Sequence, residues 1–107
     1  ANLSDALLEK AKLYNADLSG ANLKNADLSD ADLLYAFLRK ADLSGANLSS
    51  ADLSYANLSY ANLSDAVLLG TCLVGTILSD VNLSGTDIFL ANVDTTDTIS
   101  SASIGFF

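Results

Sequence analysis

The stretch ADLSGANLKNADLSDADLLY, residues 16–35, consists of four five-residue blocks with Ala at the first position and Leu at the third. The same pattern extends in both directions from it. Leu stands at every fifth position from Leu3 to Leu83, and Ile88 and Val93 then take its place. The first position is Ala in every block of residues 1–70, the second is most often Asp or Asn, and the fourth is most often Ser. The chain is therefore a tandem repeat with a period of five.

A period of five fits neither a continuous helix nor a continuous strand. Five residues advance an α-helix by about 500°, so the leucines would spread over every face of the helix. Side chains alternate along a strand with a period of two, so successive leucines would point to opposite faces of a sheet. The chain must therefore turn once in each block, so that short extended segments wind around an axis and stack by backbone hydrogen bonds. This geometry predicts a β-solenoid but leaves three or four blocks per coil open.

The blocks at residues 16–20, 21–25 and 41–45, which read ADLSG, ANLKN and ADLSG, resemble those of the pentapeptide repeat family. The resemblance covers nearly the whole chain. It implies an all-β fold, a right-handed quadrilateral β-helix of about five coils with four blocks in each. It also implies that the central Leu and the Ala two residues earlier point inward. A narrow interior has room for one large and one small side chain per block, which agrees with this assignment.

The repeat pattern ends near the C-terminus. Thr98 stands where an aliphatic residue is expected, so we predict a solenoid over residues 1–97 and an irregular cap or end-to-end contact over residues 98–107. Phe106 and Phe107 would cover the last coil or contact a second copy of the chain. An exposed coil end needs such protection because a solenoid residue contacts only neighbouring coils.

Composition narrows the classes of partner. The formal net charge is −8, which disfavours direct binding to nucleic acid or to anionic lipid. The longest uncharged stretch, residues 66–79, is shorter than the roughly 18 residues of a membrane span. We therefore expect a soluble protein without a membrane span, and a basic or neutral protein surface as its partner. The single cysteine leaves the redox compartment undetermined, and we favour the cytoplasm.

The sequence offers no catalytic or cofactor-binding constellation. It contains no His for acid–base or metal chemistry, and the lone Cys72 has no imidazole to activate it. Paired carboxylates such as Asp30 and Asp32 would lie on a convex surface without a pocket, where they are typical of a solvated repeat. We predict no catalytic residue, metal or cofactor, and hence no enzyme.

With four blocks per coil, residues twenty apart become neighbours along the axis, which brings apolar outward residues together. Exposed aromatic clusters often mark contact sites, although stacked tyrosines can also simply stabilise neighbouring coils. We predict a possible interaction surface of eight residues: Tyr14, Leu34, Tyr35, Phe37, Tyr55, Tyr60, Val74 and Ile77.

Three functions remain open. The first is a non-catalytic scaffold that binds a protein, or a second copy of itself, through the Tyr-rich side or the C-terminal end. The second follows from the family resemblance and is an acidic DNA mimic that binds a topoisomerase such as DNA gyrase. The third is a designed or isolated repeat segment without a task of its own.

Overall fold

Each block contributes one extended residue and one turn to the backbone. The computed structural model describes residues 1–93. In it, parallel bridges join the second residue of a block to the residue twenty positions later, as in the pairs Asn22 with Asp42 and Asp32 with Asp52. Twenty residues are four blocks, so one coil has four extended segments and four turns. The bridges thus decide between the three and four blocks that the sequence left open.

The four sides of the stack are numbered by the blocks of the first coil. The first side begins at residues 1–5, the second at 6–10, the third at 11–15 and the fourth at 16–20. Each side is flat over the first three residues of its blocks, and the fourth and fifth residues form the turn that leads to the next side. The fourth side carries Asp17, Phe37, Asn57 and Ile77 along its centre.

Backbone hydrogen bonds hold neighbouring coils together. The N–H of the second residue donates to the preceding coil, as from Asp42 to the carbonyl of Ala21 at 2.9 Å. The N–H groups of the third and fifth residues donate to the following coil, as from Leu43 to Asn62 at 2.7 Å. The N–H of the first residue closes the turn inside the coil, as from Ala46 to Leu43 at 3.0 Å. Four of the five N–H groups of a block thus bond to the backbone.

The fifth N–H belongs to the fourth residue, and a side chain accepts it. In the block at 41–45, Oδ1 of Asp42 accepts the N–H of Ser44 at 3.0 Å and its hydroxyl at 2.7 Å. In the block at 56–60, Oδ1 of Asn57 accepts the same two groups of Ser59, at 3.0 and 2.6 Å. An Asp or Asn side chain readily bonds a backbone N–H two residues later. This bond explains why the repeat prefers Asp or Asn at its second position and Ser at its fourth.

The fifth residue of each block up to residue 85 lies in the left-handed region of backbone space. Its φ ranges from +55° at Asp80 to +74° at Gly85. With the hydrogen bond from the next residue to the central Leu, this is the geometry of a type II turn, whose third residue requires a positive φ. Gly, Asn and Asp occupy eleven of the seventeen positions, in keeping with their low cost in this conformation.

The predicted interior is confirmed. From Leu23 to Leu73 every central Leu is fully buried at 0% exposure, and the Ala residues at the first positions from Ala21 to Ala66 are at most 3% exposed. The leucines of the first coil pack on this core and are only partly buried, since within residues 1–93 no coil precedes the first one and covers them. Close packing around one large and one small side chain per block explains the strict alternation of Leu and Ala.

Two buried threonines replace Ala at the first position. Thr71 Oγ1 donates to the carbonyl of Leu48 at 2.6 Å, and Thr76 Oγ1 donates to the carbonyl of Leu53 at 2.7 Å. Each hydroxyl therefore donates to a turn carbonyl of the preceding coil. This hydrogen bond offsets the cost of burying a polar group. The sequence pattern does not reveal this role.

The backbone departs from the repeat in the block at 86–90, although the sequence pattern continues. A 3₁₀ helix spans Ile88–Leu90, and Leu90 is an aliphatic residue at the position that elsewhere needs a positive φ. The side chain of Asp87 accepts the N–H of Leu68 at 2.8 Å, in place of the backbone carbonyl used by the other blocks. The parallel pairing then resumes between Cys72 and Asn92. The predicted boundary at residue 97 and the cap at 98–107 lie outside the described residues.

Candidate interaction surface

The eight residues predicted as an interaction surface lie on the fourth side and at the turns along its two edges. Tyr14, Leu34 and Val74 are fourth residues of third-side blocks, and Leu34 and Val74 are partly buried. The others are about half exposed, with 46 to 52% of the side chain accessible, and comprise Tyr35, Phe37, Tyr55, Tyr60 and Ile77. The structure thus places these five on or beside one flat side.

Tyr35 and Tyr55 form a stacked pair at one edge of the fourth side. Their ring centroids are 5.3 Å apart and their planes differ by 17°. The Tyr55 ring continues toward the next coil, where a Cβ on Gly75 would lie 2.5 Å from it. Gly75 therefore provides the space into which the Tyr55 ring leans. The stack holds the two rings against each other, and both residues stay about half exposed.

A cation–π contact orders the other edge of the same side. The guanidinium carbon of Arg39 lies 4.8 Å from the centroid of the Tyr60 ring, within the range of this interaction. Lys40 follows Arg39 in the same turn and is exposed. This edge thus combines an aromatic ring with two cations. Arg39 was not among the predicted residues, although the positions of Arg39 and Tyr60, one coil apart at the same turn, indicate the pairing.

Phe37 and Ile77 are separated along the centre of the fourth side by Asn57. Phe37 is paired by a parallel bridge with Asn57, and Asn57 is paired in turn with Ile77. The two apolar side chains therefore lie two coils apart with an amide between them. The aromatic stack lies at one edge of this column and the Arg39–Tyr60 contact at the other.

A second group of exposed apolar residues lies on the second side, opposite the fourth. Val67 and Leu69 are 41% and 54% exposed, and Leu7 of the same side is 81% exposed. These three residues were not among those predicted from the sequence. Aliphatic residues at the second or fourth position, where the repeat otherwise carries Asp, Asn or Ser, are the signal that could have found them.

The described surface shows no grouping typical of a catalytic or metal site. Among residues 1–93 no three His, Cys, Asp or Glu side chains lie close enough together to hold a metal ion. Cys72 is a free thiol whose Sγ lies 3.0 Å from the hydroxyl of Ser54. No helix within the described part of the chain has the length and apolar character needed to cross a membrane.

Several outward carboxylates have a lowered pKa because they accept the bonds of the repeat. The hydroxyl of Ser29 and then its N–H lower the pKa of Asp27, at 2.7 and 3.0 Å. The equivalent bonds from Ser44 lower the pKa of Asp42. At Asp17, on the fourth side, the backbone N–H two residues later is the largest cause of a lowered pKa. Hydrogen bonds to the ionised form favour that form.

These lowered pKa values predict a loss of stability in acid. A carboxyl with a lowered folded-state pKa stabilises the fold above its unfolded value, about 3.9 for Asp, and this contribution is lost as the pH falls through the folded pKa. We expect the triple replacement of Asp17, Asp27 and Asp42 by Asn to flatten the decline of the urea midpoint below about pH 4, since Asn keeps the acceptor oxygen.

A control with the same change in charge replaces Asp5, Asp30 and Asp65 with Asn. These three residues lie at the fifth position of their blocks, whereas the bonded carboxylates lie at the second. We expect that variant to keep the acid decline of the parent chain. If both triple variants follow the same curve of urea midpoint against pH, the bonded carboxylates are not the cause of the acid sensitivity.

Comparison with known proteins agrees with the five-residue repeat. A family described as pentapeptide repeats matches in eight copies, over residues 1–33, 21–54 and 46–85. No curated protein matches the chain.

Solved structures of pentapeptide repeat proteins are similar to this chain. One from Nostoc Pcc 7120 is 35% identical with a TM-score of 0.74, over 87% of this chain and 84% of that one. One from the thylakoid lumen of Arabidopsis thaliana is 31% identical with a TM-score of 0.66, over 87% of this chain and 60% of that one. This chain thus spans less than two thirds of the length of the Arabidopsis protein.

A trypsin-treated form of QnrB1, a plasmid-mediated fluoroquinolone resistance protein, is 22% identical with a TM-score of 0.51, over 96% of this chain and 72% of that one. At this identity the likeness concerns the fold alone. The matching repeats extend over residues 1–85, most of the sequence. This chain belongs to the pentapeptide repeat family.

Proposed function

We propose that this chain is a rigid, non-catalytic scaffold that binds a protein partner through its fourth side. The observation that carries the proposal is the set of half-exposed rings held in fixed positions there, with Tyr35 stacked on Tyr55 and Arg39 packed over Tyr60. Rigid, exposed aromatic residues contribute much of the binding energy at protein interfaces, because little entropy is lost when they are covered.

The absence of His from the sequence and the lack of an imidazole near the single Cys72 support a role without catalysis. The partner would present a neutral or basic surface, because this chain has a net charge of −8. Phe106 and Phe107 belong to the same proposal as a second contact, at the C-terminal end. The cytoplasm is the proposed compartment, although a family member comes from the thylakoid lumen.

The right-handed quadrilateral β-helix implied by the family resemblance is part of this proposal. The register of twenty residues and the four turns per coil support a four-sided cross-section, as do the two equal principal extents of 21 Å across the 30 Å length. The right hand is taken from the family. A flat-sided rod of this kind presents each column of side chains at fixed spacing, as a scaffold requires.

The second candidate is an acidic mimic of DNA that binds a topoisomerase such as DNA gyrase. Its support is the negative charge of the rod. Even if the whole charge of −8 is assigned to a length of 30 Å, the density is about one net charge per 4 Å, against about one per 1.7 Å in duplex DNA. The five cations, all within residues 1–40, weaken the mimicry further. Absence of inhibition in a gyrase supercoiling assay at high protein concentration would exclude this candidate.

Replacing Tyr35 and Tyr55 together with Ser tests the scaffold proposal. We expect the double variant to lose association, whether with a protein captured from the native host or with itself by light scattering, and to keep the far-ultraviolet β spectrum. The change removes the stacked rings but leaves the coil hydrogen bonds, which are made by the backbone.

A matched control replaces Asn25 with Ser and Ser50 with Asn, at fifth positions of other turns where φ is also positive. We expect this control to associate like the parent chain. Equal association of all three proteins would argue against the fourth side as the contact. It would then favour an isolated repeat segment, or a contact elsewhere on the chain.

A further inference from the structure

The fourth side is self-complementary about the level of Asn57. Its central column carries Phe37 one coil before Asn57 and Ile77 one coil after it. Its turn toward the first side carries Lys40 at the level of Phe37 and Asp80 at the level of Ile77. An apolar residue and a charge thus occur on each side of the Asn57 level, and the two charges have opposite signs.

A second copy that faces this side with its axis reversed would match these features. The two-fold axis lies in the plane of the fourth side, perpendicular to the rod, at the level of Asn57. It brings each residue opposite the residue that lies equally far beyond that level in the second copy. Phe37 then meets Ile77 of the second copy, and the backbone of Lys40 lies level with that of Asp80 of the second copy. Tyr55 and Tyr60 each meet their own equivalents, and Tyr35 lies opposite Gly75 of the second copy.

The opposite arrangement, with parallel axes, is disfavoured by charge. A two-fold axis along the rod places Asp17 of each copy opposite its own equivalent, and like charges opposite each other are destabilising. It also aligns the two strongly acidic halves. Residues 1–40 hold five basic and six acidic residues, a balance of −1, whereas residues 41–93 hold five acidic and no basic residues, a balance of −5. Reversing one copy brings the acidic half of each beside the nearly neutral half of the other.

We infer that the fourth side binds a second copy of the chain in an antiparallel, face-to-face dimer. This inference rests on the proposed function and names its partner. The side measures at most about 30 by 21 Å, so about 600 Å² per copy can be covered. The total of about 1,200 Å² is at the lower limit of specific interfaces. The dimer is therefore weak, and it forms as the concentration rises from about 10 to about 500 µM.

Cysteine cross-linking distinguishes the two orientations. In a Cys72→Ser background, Phe37→Cys and Ile77→Cys are prepared as separate proteins and oxidised at high concentration, alone and mixed in equal amounts. The antiparallel dimer places position 37 opposite position 77, so a disulfide-linked dimer is expected mainly in the mixture. A parallel dimer would instead link each variant to itself, and that result would overturn the inference.

A matched pair of variants tests the side itself. In the same background, Asn57→Cys lies on the proposed two-fold axis and should cross-link to itself, whereas Asn62→Cys on the first side should not. Both lose the acceptor of a serine N–H, at 3.0 and 2.9 Å, and Asn57→Cys also loses the acceptor of the Ser59 hydroxyl, so any loss of stability is at least as large in the variant that is expected to cross-link. Equal cross-linking of the two would overturn the inference.

Sedimentation of the parent chain from 10 to 500 µM provides a measurement without added thiols, and a single monomeric species throughout would also overturn it. That outcome leaves the scaffold proposal standing if the Tyr35→Ser, Tyr55→Ser variant still loses a different protein partner. If the double variant instead binds that partner as well as the parent chain does, the scaffold proposal and the dimer are both overturned.

Discussion

Leu48→Ala is expected to lower the free energy of unfolding by about 3 to 5 kcal/mol. Leu48 is fully buried at 0% exposure in the middle of the stack, and its neighbours above and below are the leucines of adjacent coils. Removal of its side chain leaves a cavity that the backbone hydrogen bonds between coils prevent from closing. Urea denaturation followed by circular dichroism measures the change.

Leu7→Ala is the matched control, since Leu7 is a leucine at the second position of its block, next to the repeat Leu8, and is 81% exposed. Its replacement is expected to change the free energy of unfolding by no more than about 0.5 kcal/mol. Similar losses for the two variants would mean that the central position of the block is not the buried one.

Ser50→Pro is expected to cost at least about 3 kcal/mol and to prevent folding of the middle coils. Ser50 has a φ of +58°, which the proline ring cannot adopt, and its N–H donates to the carbonyl of Leu69 at 2.9 Å. The replacement therefore strains the turn and removes a hydrogen bond between two coils. Thermal unfolding of the purified variant measures the loss.

Leu69→Pro changes the residue on the other side of that same hydrogen bond. Leu69 is the fourth residue of its block, its carbonyl is kept in the variant, and its N–H makes no hydrogen bond within residues 1–93. The second residue of a type II turn favours proline. Stability within about 1 kcal/mol of the parent is expected. A variant as unstable as Ser50→Pro would contradict the assignment of the turn.

The inward leucines and alanines could be predicted because a period of five allows only a chain that turns once per block. The number of blocks per coil could not, since three and four sides both keep every Leu inward. The pairing of Asp32 with Asp52 decides it. The bond from the Ser44 N–H to Asp42 Oδ1 also escaped prediction, because it depends on which N–H is left without a backbone acceptor when the coils pair. The 3₁₀ helix at Ile88–Leu90 interrupts a block that reads as regular in sequence.

The surface could be predicted in part. Once residues twenty apart are taken as neighbours, Tyr35 and Tyr55 fall into one column, and the structure stacks them at 5.3 Å. The space that Gly75 leaves for the Tyr55 ring could not be read in the same way, because it depends on the ring leaning toward the following coil. Val67 and Leu69 were missed because they lie on the side opposite the aromatic residues.

The coil of four blocks is tested most directly by scalar couplings across hydrogen bonds in nuclear magnetic resonance spectra. The structure predicts a coupling from the amide nitrogen of Leu28 to the carbonyl carbon of Asn47, nineteen residues later, across a bond of 2.8 Å. The same spacing should recur from Leu43 to Asn62, at 2.7 Å. Couplings to carbonyls one block nearer or one block farther along the chain would contradict the coil, as would couplings only within a block.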